Sequence, residues 1–399
     1  MSDALPTLAL DGTETLVAAL VVLYLGKLVV EHSRLREQAV PSAVVGGFLV
    51  SIVLTVLFVA GVAEVSFETA VRDRLLVVFF ATVGLAARWS LLRLWLNPIV
   101  VLLALATALT VLQDVVGSAI VALFGGHPVY GLATGGISMM GGPGTAVAWG
   151  GILEERYRLE DVQEVAVATA AFGMLVSGLV GAPLARRLIL ANDLASKDGA
   201  ALDEDPETPE PVSLDAVLGV LLQVTISVAA AQWVGADLRA AGVTLPDFVL
   251  ALGFAAVVGN VANALGVRTN ASTVRLIGDV SLQVFVAVTL VALKFWVLAD
   301  TADPILLVMA CQAALVCAFV YWIVFPALGR DYDAAVASAG VIGFALGVTA
   351  VGLANMRAIT HRYGTSPQAY LVVPIVGAFL IDFVNTALIQ LYISVEILG

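Results

Sequence analysis

Asp382 and Asn385 stand three residues apart in the apolar stretch VGAFLIDFVNTALIQ, with Thr386 beside them. On a helix that spacing puts both on one face. Carboxylate, amide carbonyl and hydroxyl are hard oxygen donors, the set an alkali cation takes in place of water. An acid in a lipid-embedded helix costs at least about 2.5 kcal/mol, so it needs a reason to be there. The reason is either a cation or an ordinary contact, such as an interhelix hydrogen bond or a salt bridge to Lys294. Lys294 itself could meet a substrate carboxylate, or could carry its ammonium along its own stem to the membrane interface.

A second chemistry-bearing stretch, GGISMMGGPGTAVAWG (135–150), holds six glycines and a proline without a charge. In a helix each Gly costs about 1 kcal/mol relative to Ala, and Pro about 3 kcal/mol. The stretch therefore reads as a turn that frees backbone N–H and C=O groups. A half-helix N-terminus there suits a carboxylate, and the freed carbonyls and hydroxyls suit a cation. Ser138, Gly141, Gly142, Gly144 and Thr145 are the candidates. The charge-free segment AAVASAGVIGFALGVTAVGLANM, between Asp333 and Arg357, offers Gly347, Thr349 and Asn355 in the same way. The competing explanation is that these glycines only let helices approach closely.

These groups must be positioned by membrane-spanning elements. The 399 residues are 60% hydrophobic and 13% charged, with a mean hydropathy of +1.01. A soluble domain with a solvated surface does not reach those values. Ten segments approach the roughly 20 apolar residues a span needs: 14–31, 39–61, 74–92, 98–124, 163–190, 213–234, 245–267, 279–298, 303–328 and 369–393. A net charge of −12 argues against nucleic acid as a partner. Eight acids and one Lys fall between Asp193 and Asp215, marking 193–212 as a solvated linker. Cys311 and Cys317 lie on different faces of one span, which suits neither a disulfide nor a metal site. His32, His127 and His361 are scattered, and neither HExxH nor GxxxxGK[ST] occurs, so no enzyme and no organic cofactor is expected.

The linker separates two similar halves, 1–192 and 213–399. A shift of 206 residues lays FFATVGLAARWSLL (79–92) on FVAVTLVALKFWVL (285–298), Arg88 on Lys294, and Pro98 on Pro304. Five spans is an odd number, so the second half must enter the membrane from the opposite side. Twelve of the 19 basic residues fall on one side when the N-terminus is outside. Both termini are then outside and the linker inside. The expected fold is an all-α membrane protein of ten transmembrane helices, built as two inverted five-helix repeats. Each repeat carries a re-entrant hairpin, at 130–150 and 334–356, between its fourth and fifth spans. The two hairpins meet near the membrane midplane, since irregular backbone at that depth must be buried in protein or line a cavity.

The sequences GGPGT, IGDVSLQVFVAVTLVALKFWVLAD, GRDYDAAVASAG, LANMRAITHRYG and LVVPIVGAFLIDFVNTALIQ resemble the sodium/glutamate symporter family of bacteria and archaea over nearly the whole chain. The resemblance implies sodium as the coupling ion and L-glutamate as the anionic substrate. It further implies a cytoplasmic-membrane location, a homodimer formed through a scaffold domain, and uptake by movement of a transport domain. It assigns substrate and ion to the loops around Gly141, Gly142, Gly144, Thr145, Gly347 and Thr349, with Asp382 and Asn385 in the neighbouring helix. The chain departs from the family pattern at Pro143, where members often carry histidine, and in a more apolar second loop with Val341, Ile342 and Ala345. Another carboxylate, such as a dicarboxylate or 2-hydroxycarboxylate, is therefore an alternative substrate, and a passive anion channel a more distant reading.

Overall fold

The computed structural model describes residues 6–33, 41–89, 96–196, 210–240, 245–294, 296 and 302–394. Most of the acidic linker at 193–212 lies outside these residues. So do Arg34, Arg36, Arg93 and Lys197, four of the twelve cations on which the orientation rests.

Helices dominate because long apolar runs in a bilayer must satisfy their backbone internally. The first half contributes α1 (Gly12–Glu31), α2 (Ser42–Val59), α3 (Ala70–Ala86), α4 (Leu96–Leu123), the short α5 (Pro128–Ala133), α6 (Gly142–Tyr157) and α7 (Val162–Ala191). In the second half come α8 (Leu214–Ala240), α9 (Asp247–Ala264), α10 (Ala271–Val291) and α11 (Ala302–Phe319), then α12 (Tyr332–Ala345), α13 (Thr349–Tyr363) and α14 (Pro367–Ile375), and finally α15 (Ile381–Ser394). The fold is not purely helical. Strand β1 (Thr7–Leu10) pairs in parallel with β2 (Glu64–Phe67), and Asp11 then caps α1, accepting from the N–H groups of Thr13 and Glu14.

Element boundaries recur at a nearly constant spacing. Ser42–Val59 is followed 205 residues later by Asp247–Ala264, Leu96 is followed 206 later by Ala302, and Tyr157 is followed 206 later by Tyr363. Each half thus runs three helices, a long fourth, a helix–turn–helix pair and a closing helix.

Nine helices among the described residues are long and apolar enough to cross a membrane. The segment expected as a third span, 74–92, is the 17-residue α3, which carries Arg72 and Asp73 in its first turns. The span expected at 279–298 is shifted. Asn270 accepts from the Thr273 N–H and starts α10 at Ala271, so the helix ends at Val291 and Asp279 lies in its middle. Lys294 therefore stands beyond the helix, and the apolar residues after it had disguised that end.

The helices pack in two groups. In one, α3 lies on α9 and α10, α1 on α2 and α10, and α8 on α9; in the other, α4, α7, α11 and α14 surround the two helix–turn–helix pairs. The second group is cored by Met139, Met309, Val341, Phe344 and Met356 among others. Two π-helical turns, Val320–Val324 after α11 and Val376–Leu380 between α14 and α15, interrupt regular helix there. Pro374 removes one helical donor just before the second of these turns. α15 follows this turn directly and carries Asp382 in its own first turn.

Candidate functional site

Both charge-free segments break into helix, turn and helix, as their glycines lead one to expect. The first runs through α5, a series of turns over 134–141, and α6; the second through α12, a break at 346–348, and α13. Gly142 has φ +69°, the left-handed region open to glycine. A Cβ built there would lie 2.6 Å from the Gly347 carbonyl oxygen and 2.8 Å from Val348 Cγ1. The two turns, more than 200 residues apart in sequence, are thus in contact. Glycines also bring the arms of the second pair together, since a Cβ on Gly343 would fall 2.1 Å from Gly352 Cα.

Around this contact, polar side chains are buried and tie the elements together. Asn385 of α15 donates from Nδ2 to the Gly136 carbonyl (2.9 Å). The Gly136 N–H donates to Asp114 Oδ1 of α4 (2.7 Å). Gln113, next to Asp114, donates to the Ala345 carbonyl at the end of α12 (2.8 Å) and accepts at its own carbonyl from Gln312 Nε2 of α11 (2.7 Å). Asn355 of α13 donates to the Ser177 carbonyl of α7 (3.0 Å). One helix, α4, therefore touches both turns through adjacent side chains.

The buried oxygens left without a hydrogen-bond partner include Asp114 Oδ2, Thr145 Oγ1, Asn355 Oδ1, Asn385 Oδ1 and Thr386 Oγ1. Unpartnered buried polar atoms each cost about 1–3 kcal/mol, so each calls for a partner such as a water, an ion or a ligand. Four of these five residues are among those expected from the sequence. Thr349 begins α13 and is half-buried, and Asp382 is 7% exposed on α15. Ser138 is differently used: its hydroxyl lies within hydrogen-bonding reach of the carbonyls of Ala133 and Ala166, so it fastens the first turn to α7. Gly141 and Gly144 pack against Thr145 and against Leu76 and Phe80 of α3, respectively.

The sodium/glutamate symporter family profile matches residues 8–365. The chain is 36% identical over 395 residues to the sodium/glutamate symporter of Escherichia coli (strain K12), covering 97% of this chain and 98% of that one. It is 34% identical over 392 residues to that of Haemophilus influenzae, covering 96% and 97%. The chain belongs to the sodium/glutamate symporter family.

Within this family member, the expected role of Lys294 takes a different form. Its ammonium donates to Glu64 Oε1 (3.0 Å) and lies 6.0 Å from the Trp296 ring. It also faces the acidic start of α7. Burial, then the charge of Glu160, raise the Asp161 carboxyl above its ordinary value, and the Lys294 charge opposes them. Because the Lys294–Glu64 pair is partly exposed, at 39% and 29%, its loss should cost under about 1 kcal/mol. Lys294→Gln is expected to leave substrate affinity within about twofold in a binding titration. A large loss would place the ammonium on the ligand.

Asp114, Gln113 and Gln312 were not anticipated, although the signal was present: an acid and two amides inside otherwise apolar spans. Asp114 lies in the expected span 98–124, outside both charge-free segments, and nothing in its own neighbourhood points to the turn it reaches. A further cationic feature is a cleft of about 780 Å³ between α7 and α13, lined by Arg186, Arg187 and Arg362. Arg187 lies over the Tyr321 ring at 5.9 Å and Arg362 over Tyr363 at 5.6 Å. The cleft reaches Gly178 and Ala182, which flank the Gly181 packed on Asn355. Its three guanidinium groups give the cleft a positive potential.

Proposed function

We propose that this protein is a secondary active transporter that couples inward sodium movement to the uptake of L-glutamate. The observation that carries the reading is the contact of two glycine turns, ringed by buried oxygens without partners, inside apolar helices. Family membership supplies the ion and the substrate, since the relatives are named for both. In this account the two halves are inverted repeats giving ten crossings, and the helix–turn–helix pairs are re-entrant hairpins entering from opposite sides. The protein resides in the cytoplasmic membrane with both termini outside and the arginine cleft facing inward. It works as a homodimer in which α1–α3 and α8–α10 form the scaffold and the remaining helices move.

The residues divide by chemistry. Backbone N–H groups freed around Gly141, Gly142 and Gly347, with Thr145, Thr349 and Asn355, meet the substrate, whereas the Ser138 hydroxyl fastens the first turn to α7 and Gly144 packs on α3. Asp382, Asn385 and Thr386 bound the sodium region. Proteoliposomes containing the protein should accumulate labelled glutamate only under an inward sodium gradient, and equilibration that ignores sodium would refute the coupling. Asp382→Asn is expected to raise the sodium concentration for half-maximal uptake by about tenfold while the purified protein stays folded. An unchanged sodium dependence would make Asp382 a structural residue.

One observation favours a different carboxylate. Val341, Ile342 and Ala345 beside the second turn are fully buried and apolar, and discrimination between anions depends on polar groups left paired or unpaired. Unlabelled dicarboxylates or 2-hydroxycarboxylates that compete better than glutamate would shift the substrate assignment without touching the mechanism.

A further inference from the structure

The space over Gly135 and Gly136 holds more oxygen than the hydrogen bonds use. A Cβ on Gly136 would sit 2.6 Å from the Thr110 methyl, 2.9 Å from Asp114 Oδ1 and 3.3 Å from Asn385 Oδ1. One on Gly135 would sit 2.9 Å from Asp114 Oδ1, 2.9 Å from the Gln113 carbonyl oxygen and 3.0 Å from that of Gly131. A side chain at either position would collide with these groups, so the glycine pair is what lets Asp114 and Asn385 approach the first turn this closely.

Three elements converge there. Asp114 comes from α4 and is 2% exposed; Asn385 comes from α15 and is 1% exposed; the carbonyls come from α4 and α5. The Asn385 amide is oriented by its donation to the Gly136 carbonyl, which leaves Oδ1 as the unpaired end. Asp114 Oδ1 is fixed by the Gly136 N–H, and Oδ2 is left over. No ion pair to Asp114 occurs among the described residues.

We infer that Asp114 and Asn385, through the unpaired Oδ2 and Oδ1 they hold beside the Gly135–Gly136 pair, form the core of a binding site for a monovalent alkali cation, the coupling sodium ion. The inference rests on the sodium-coupled reading above and adds Asp114, on α4, to the sodium region that Asn385 already bounds. Carboxylate, amide and peptide oxygens are hard ligands suited to an alkali ion and poor for a soft metal. One carboxylate among neutral oxygens carries a single negative charge, which one monovalent ion balances. A divalent ion would leave a net charge in a low-dielectric interior. The same ion explains the mechanics. Asp114 and Asn385 both hold Gly136, and Gln113 holds the end of α12, so filling the site pins the first turn while α4 already grips the second. Sodium would then prepare the two turns for the substrate before it arrives.

The test uses the purified full-length protein without glutamate. Its melting temperature is measured against NaCl, with choline chloride keeping ionic strength constant. A ligand that binds only the folded state raises the melting temperature in a saturable way. The wild type should show this rise, and Asp114→Asn should lose it or require at least about tenfold more sodium. An unchanged midpoint in Asp114→Asn would overturn the site. Should that variant not fold, Asp114→Glu is read in the same way, because it keeps the charge but displaces it by one methylene. A fivefold or larger increase in its midpoint supports the site, and an unchanged one refutes it. A wild type indifferent to sodium would overturn the coupling reading itself, a result distinct from a wild-type response preserved in the variants.

Discussion

Gly142→Ala is expected to abolish uptake, reducing it by on the order of 100-fold, the loss a misplacement of about 1 Å produces where binding groups must align. Two costs combine at this position. A left-handed backbone at φ +69° strains any residue with a Cβ by about 1–2 kcal/mol. The new methyl would also press on the Gly347 carbonyl at 2.6 Å, and a carbonyl of the opposing turn cannot swing aside as the end of a side chain can. The turns must separate, and the groups they aim at a common centre separate with them. Gly219→Ala is the control, because a Cβ there meets nothing within 4 Å. It should transport as the wild type does. Near-normal uptake by Gly142→Ala would mean that the contact between the turns is not used.

Gly144→Val is expected to lower transport at least tenfold while sodium-dependent glutamate binding survives. Gly144 lies where the two helix groups meet. A Cβ there would come within 2.6 Å of Leu76 Cδ1 and 2.9 Å of Phe80 Cε2. Leu76 has a flexible end, but Phe80 is held against Phe248 with ring centroids 4.4 Å apart. A smooth glycine surface against α3 lets one group slide past the other, and a branched side chain turns it into a wedge. Binding needs only one position of the groups, whereas turnover needs several, so the two measurements should part. Equal losses in both would show Gly144 to be part of the binding site and not of a moving boundary.

The broken segments were legible in the sequence because glycine and proline act locally: their cost in a helix does not depend on what surrounds them. The 206-residue offset rests in the sequence on Arg88, Lys294 and the prolines, which mark boundaries that apolar matches alone would blur, and several element boundaries recur 205 or 206 residues apart. Helix ends were less legible where apolar sequence continued past them, as after Lys294, and the β1–β2 pairing joins segments with no local signature. The site was legible in part. Asn355, Asn385 and Thr145 stood out as polar residues in apolar runs, and all three retain unpaired oxygens. Asp114 and Gln113 gain their meaning only from what they reach: Gly136 and Ala345 are 22 and 232 residues away. No periodicity or spacing encodes such contacts. For Lys294 the nearest anion proved to be Glu64, which the strand pairing brings into place.

The most direct measurement is a cryo-electron microscopy structure of the protein with glutamate and sodium bound. The account predicts glutamate density between the two turns, its carboxylates within hydrogen-bonding distance of backbone N–H groups near Gly142 and Gly347. Glutamate found only in the arginine cleft, with the turns making no contact to it, would contradict the account.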